Sequence, residues 1–307
     1  MASVAAIVAA ANRSQPATLA PNVHDIRANF CGMRDADGIV MFDPYLLSLW
    51  LTDDAKFDAW LEQKRQAGLT HLVVCPVANY PTIMEIPSAD VRTQPDLFAS
   101  FVADVVDEGF VPVVMLTSGD GGTAADINEF WPGLFASLLA YIRDPARLIV
   151  CPGFELVGPG GGWTSAELSR GLLVIHAALP TAILAVHLQP ERATGASHPV
   201  EPDDPWHGDE AGFWWSHGGE FVDVFLYQTP HGAKLLDGDG WEDRWLEIVT
   251  RLGVGARGWR QVPLNFFESI AYDYSHGNCS EADGLRLRLR AQELCHAHGI
   301  TCTWGNG

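Results

Sequence analysis

The strongest constraint on this chain is an alternation that runs almost from end to end. Short apolar runs of strand length take turns with segments whose apolar residues recur at helical spacing. Ile26 to Asp35 reads as a first strand. Asp53 to Gln66 follows as a helix through Phe57, Trp60 and Leu61, closed by Gly68. His71 to Val77 is a strand, Leu97 to Val106 a helix closed by Gly109, and Val111 to Leu116 a strand. Phe130 to Ile142 is a helix, Leu148 to Cys151 a strand, Ser165 to Ala178 a helix, and Ala182 to Leu188 and Val222 to Tyr227 are strands. Trp241 to Leu252 is a helix, a seventh apolar run lies within Gln261 to Asp273, Glu281 to His296 is a helix, and Ile300 to Trp304 ends the pattern.

Apolar strands separated by amphipathic helices imply a parallel sheet covered by helices. Eight such units point to an α/β fold, a (β/α)8 TIM barrel in one domain over residues 26–307 behind a short extension at 1–25. A doubly wound open sheet is the alternative, weakened because no GxGxxG follows the first strand. Only the connection from Gln189 to Phe221 breaks the rhythm. Its Pro, His, Asp and Trp content reads as a long loop over the strand ends, the kind that shapes a binding site.

A hydrophobic fraction of 48% in 307 residues is enough for a full core. The formal charge of −19 argues against a nucleic-acid partner, which would call for clustered Lys and Arg. Arg286 to Arg290 alternates with Leu and reads as the solvated face of a helix. Six cysteines without CxxC spacing read as buried free thiols; no HxH or HExxH spacing joins His198, His207, His217 and His231 into a metal site, and His296-Ala-His298 reads as a helix C-terminus, where cations are favourable. No cofactor is expected. The apolar start, MASVAAIVAAANR, lacks the basic region of a signal peptide and is too short to span a membrane, so it is expected to be a candidate attachment segment for a protein partner, in a cytoplasmic or virion-associated chain.

Two stretches carry the chemistry. Arg147 to Trp163 runs from an apolar strand into Glu155 and then the glycine-rich GPGGG, which lacks the Lys and Ser/Thr of a phosphate loop; Gln261 to Asp273 runs from an apolar strand into Glu268. In a parallel barrel both carboxylates belong to the strand ends where such folds keep their active sites. Breaking a glycosidic bond needs one acid to protonate the leaving oxygen and one carboxylate at the anomeric carbon, which two glutamates supply. Each taken singly is also an ordinary solvated or ion-paired strand-end residue.

With Glu155 after the fourth strand and Glu268 after the seventh, the chain resembles the retaining (β/α)8 glycoside hydrolases grouped as clan A, including cellulase-like and mannanase-like enzymes. The resemblance runs from about Phe30 to Trp304 and rests on topology. It implies that Glu155 is the acid/base and Glu268 the nucleophile. It also implies that Tyr227 hydrogen-bonds the nucleophile, that Trp304 floors the sugar site, and that Arg34 keeps Glu268 ionised. Phe154 stands where the family carries an Asn that binds the sugar 2-hydroxyl.

Among eleven tryptophans, Trp163, Trp206, Trp214, Trp215 and Trp304 fall in loops or at strand ends, where an indole serves either as a sugar platform or as loop packing. His187 either orients Glu155 or is a hydrogen-bonded histidine of the barrel interior. The expected partner is a glycan. A second reading is a glycan-binding or structural barrel without efficient catalysis, for example a phage tail or capsid-associated protein. A third is a barrel aldolase or metal-dependent hydrolase, although no Lys falls in a strand run to form a Schiff base.

Overall fold

The apolar runs of the sequence become the staves of a closed ring. The computed structural model of the chain describes residues 25–29, 49–66, 70–74, 76, 94–117, 123–153, 156, 163–188, 221–228, 264–265, 293, 297 and 302–304. Eight strands, β1 (Asp25–Asn29), β2 (His71–Val74), β3 (Val111–Met115), β4 (Ile149–Cys151), β5 (Ile183–Leu188), β6 (Val224–Gln228), β7 (Leu264–Asn265) and β8 (Cys302–Trp304), follow in ring order β1 to β8. Each pairs parallel with the next, and β8 closes on β1 through Asp25↔Cys302, Ile26↔Thr303 and Arg27↔Trp304. This is the (β/α)8 barrel that the alternation implies, with β1 beginning one residue before the boundary read from the sequence.

Alternation along the strands sorts their side chains into two cores. Val73, Val113, Met115, Ile149, Cys151, Ile183 and Ala185 cluster inside the ring. Leu72, Val74, Val114, Leu116, Val150, Leu184 and Val186 face the other way and pack with Phe98, Phe101, Trp131 and Leu134 of the helices. A strand buried on both faces has no polar stripe, which is why these runs read as continuously apolar.

The helices between the strands show why they begin and end where they do. Before α1 (Asp54–Gln66), the Asp53 carboxylate accepts the Lys56 backbone N–H at 3.1 Å. Helix α2 (Pro95–Asp107) opens with proline and closes on Gly109 at φ 90°, with Gly109 N–H donating to Val106 O and Phe110 N–H to Val105 O. That is a Schellman turn, and the left-handed residue it needs is a glycine. The helix expected over 130–142 is α4 (Trp131–Tyr141), and a separate short helix, α3 (Asp126–Glu129), precedes it. Pro132 has no N–H to continue the first helix, and Phe130 turns away at φ −114°. Helix α5 (Ser165–Ala178) starts at a full capping box, Thr164 Oγ1 accepting from Glu167 N–H and the Glu167 carboxylate accepting from Thr164 N–H. The helices expected over 241–252 and 281–296 fall outside the described residues, apart from Glu293 in a helical segment.

Candidate active site at the strand ends

The part of the barrel mouth built by β3 and β4 is made of backbone pressed on backbone. Met115 is in register with Cys151, and Leu116 N–H donates to Cys151 O at 3.0 Å beyond the last ladder pair. Pro152 then withholds a donor and ends β4. At Gly153 the two chains come so close that a Cβ would lie 2.1 Å from Thr117 O and 2.8 Å from a Leu156 methyl, so only glycine fits. The buried Cys151 thiol donates to Gly153 O at 3.3 Å. Farther on, Trp163 N–H donates to Leu156 O at 3.0 Å.

Two polar residues that sequence reading passed over lie in this region. Thr117 shares the alternation of Val113 and Met115, is 0% exposed, and its hydroxyl has no hydrogen-bond partner among the described residues. Asp126, at the first position of α3 on the connection out of β3, is 1% exposed and is the buried carboxylate among the described residues. The signal available for Thr117 was position: it follows on an apolar strand at the end of the barrel where function concentrates.

Of the residues predicted for the site, Glu155, Glu268 and Arg34 lie outside the described residues, as does Phe154. Their chain neighbours frame two of them: β4 is the fourth stave and ends at Cys151, and β7 is the seventh and ends at Asn265. His187, Tyr227 and Trp304 lie within strands, where their backbones pair His187 with Leu226, Tyr227 with Leu188 and Leu264, and Trp304 with Arg27. Tyr227 thus sits on the stave next to β7.

Trp163 corrects an expectation. Its indole is 4% exposed, packs tilted on Trp131 with ring centroids 5.9 Å apart, and meets α5 where Gly171 leaves room. It belongs to the layer between barrel and helices, because that layer has apolar surface to bury and the indole supplies it. It is a packing residue, not a platform open to sugar.

At the opposite rim, where β2 begins, His71 is 6% exposed and shares the alternation of Val73. Its Nδ1 lies 2.7 Å from Thr70 Oγ1, and its Nε2 has no partner among the described residues. Burial pushes the imidazole pKa down to about 3, because an imidazolium there would lose its hydration. It is a neutral histidine remote from the strand ends. Among the described residues no group of three or more His, Cys, Asp or Glu is placed to hold a metal, and no helix is long and apolar enough to cross a membrane.

No family model matches the sequence, and no curated protein matches it. Among solved structures the chain is similar to a β-1,4-mannanase from the sea hare Aplysia kurodai, 11% identical over 92% of this chain and 90% of that one with a TM-score of 0.50. It is also similar to the chitinase ChiC from Aspergillus fumigatus, 13% identical over 92% and 91% with a TM-score of 0.46. A third is endo-glycoceramidase II from Rhodococcus sp., 11% identical over 92% and 72% with a TM-score of 0.47. At these identities the likeness is one of fold.

Proposed function

We propose that this chain is a glycoside hydrolase-like barrel that acts on a polysaccharide or cell-surface glycan through two glutamates. The observation that carries the reading is topological. Glu155 follows the fourth stave by four residues and Glu268 follows the seventh by three, in a ring closed in chain order. Retaining glycosidases place their two carboxyl groups roughly 5 to 5.5 Å apart, one on each side of the scissile bond. Glu155 would protonate the leaving oxygen while the Glu268 carboxylate attacks the anomeric carbon; water then releases the sugar, with Glu155 as base.

The supporting roles follow the same frame. Tyr227, on the stave beside β7, is suited to donate to the nucleophile, and Arg34 to favour its ionised form. His187 would orient Glu155, and Trp304 would stack on a sugar face. The ligand is a glycan, and the 1–25 extension is an attachment segment for a protein partner. A screen of purified wild type and Glu268→Gln against glycans tests the assignment. Loss of turnover by at least about a hundredfold in the variant supports it, and equal turnover removes it.

Phe154 favours a second reading, a glycan-binding or structural barrel such as a virion component, because it cannot supply the amide that holds the sugar 2-hydroxyl. Restoring that amide with Phe154→Asn would raise turnover if catalysis is the native role. A chain that binds oligosaccharide but stays inert with or without the amide belongs to the second class.

A further inference from the structure

Helix α4 carries no charge, even on the side it turns to water. From Phe130 to Ile142 the chain has no Asp, Glu, Lys, Arg or His, although charged residues make up 19% of the sequence. Leu134, Phe135 and Leu138 form the inner face, which packs with the outward side of the barrel strands. The outer face is apolar as well: Leu139 is 49% exposed and Tyr141 46%, with Gly133, Ala136 and Ala140 exposed beside them. On the neighbouring helix, Leu173 of α5 is 42% exposed. Other helices of this layer follow the ordinary rule, since α2 turns Asp96, Asp104 and Asp107 outward and α1 turns Asp54, Asp58 and Glu62 outward. An exposed apolar face of this kind marks a surface that another protein covers.

The ends of the face identify that protein. Glu129 stands exposed just before α4, and Arg143 stands exposed just after it. Two such helices packed antiparallel about a two-fold axis at Ala136 bring each residue opposite the one equally far from Ala136 on the other side. That single axis sets Glu129 of each copy against Arg143 of the other. It also sets Leu139 against Gly133, a knob over a position without a side chain. The Asp144 carboxylate beside Arg143 is engaged within its own chain, where it accepts the Ala146 N–H at 3.2 Å. Packing within one chain gives no reason for the glycine, because a Cβ at Gly133 would meet nothing nearer than Pro95 Cγ at 3.9 Å and alanine is the better helix former. With a net charge of −19, two copies repel wherever their acidic surfaces meet, and an uncharged face is where they can approach.

We propose that α4, with the adjoining Leu173 of α5, is a two-fold interface through which a second copy of this chain binds. The pairing lies on the flank of the barrel and does not depend on the glycan reading. A helix of eleven residues is about 16 Å long, so the contact falls at the low end of the roughly 1,200 to 2,000 Å² that stable pairs bury. Association in the micromolar range follows.

Sedimentation equilibrium of the full chain from about 5 to about 200 μM, a range that brackets weak pairing, tests this. The mass should rise from that of one chain toward that of two. Leu139→Glu, which puts a carboxylate over Gly133 of the other copy, should keep the mass of one chain throughout, with a melting temperature close to that of wild type. Leu51→Glu, at a leucine 41% exposed just before α1, should associate like wild type. Glu129→Arg and Arg143→Glu should each weaken the pair about tenfold, and the double variant, in which the charges face each other in reverse, should regain most of that loss. Association that survives Leu139→Glu, or that Leu51→Glu removes equally, overturns the interface, and a double variant as weak as the singles overturns the axis at Ala136. A wild type that keeps the mass of one chain at the highest concentration overturns the proposal and leaves the face to another segment of the chain or to an unlike protein.

Discussion

One added methyl group separates two glycines of the barrel. In Gly153→Ala the new Cβ would lie 2.1 Å from Thr117 O, and both chains it touches are fixed by neighbouring ladder bonds. A destabilisation of about 3 kcal/mol, at the upper end for overpacking, is expected in denaturant unfolding. Gly133→Ala, within α4, meets only Pro95 Cγ at 3.9 Å and should stabilise the chain by about 0.5 to 1 kcal/mol. His71 adds a pH dependence. Burial lowers its pKa from 6.5 to about 3, so the unfolded chain takes up the proton first. Its contribution to stability is whole above pH 6.5 and declines as the pH falls toward 3, by at most about 5 kcal/mol from the linkage of 1.36 kcal/mol per pKa unit. Urea unfolding between pH 7 and pH 4 should show a steeper loss for wild type than for His71→Gln. Matching slopes would mean that the imidazole carries no such penalty.

At the scale of elements, the ends are set by identifiable groups. The capping box at α5 lies on the connection from the fourth stave, where Thr164 and Glu167 satisfy each other's backbone N–H groups. Thr164→Ala should cost about 1 kcal/mol in thermal or chemical unfolding. Thr164→Ser should cost much less. Little should be gained from the exposed ion pairs of Arg65 with Glu62 and Glu108, since such pairs are worth about 0 to 1 kcal/mol in water. The close of α2 at Gly109 was legible in the sequence because its chemistry is local. The short α3 before α4 was not read from the sequence, since four residues are too few to show a helical spacing.

Across the whole molecule, the closed ring was readable because each stave is apolar on both faces, and such runs separated by helices leave few ways to bury them. What was not readable depends on burial. Trp163 reads as a loop aromatic, yet it sits in the layer against Trp131, and nothing in its own segment says which side of the loop it faces. Thr117 escaped notice because a threonine after a strand is ordinary until its hydroxyl proves to be enclosed without a partner among the described residues. The two glutamates were singled out by their order along the chain, and the ring places the strands before them fourth and seventh. Glu155→Gln and Glu268→Gln should each leave the fold intact while reducing any glycan turnover by at least about a hundredfold, measured on the same preparation. The most direct measurement is the distance between the carboxyl groups of Glu155 and Glu268 in a crystal structure with a bound oligosaccharide. A separation of roughly 5 to 5.5 Å with the anomeric carbon between them is expected. Side chains pointing to different sides of the barrel rim would contradict the account.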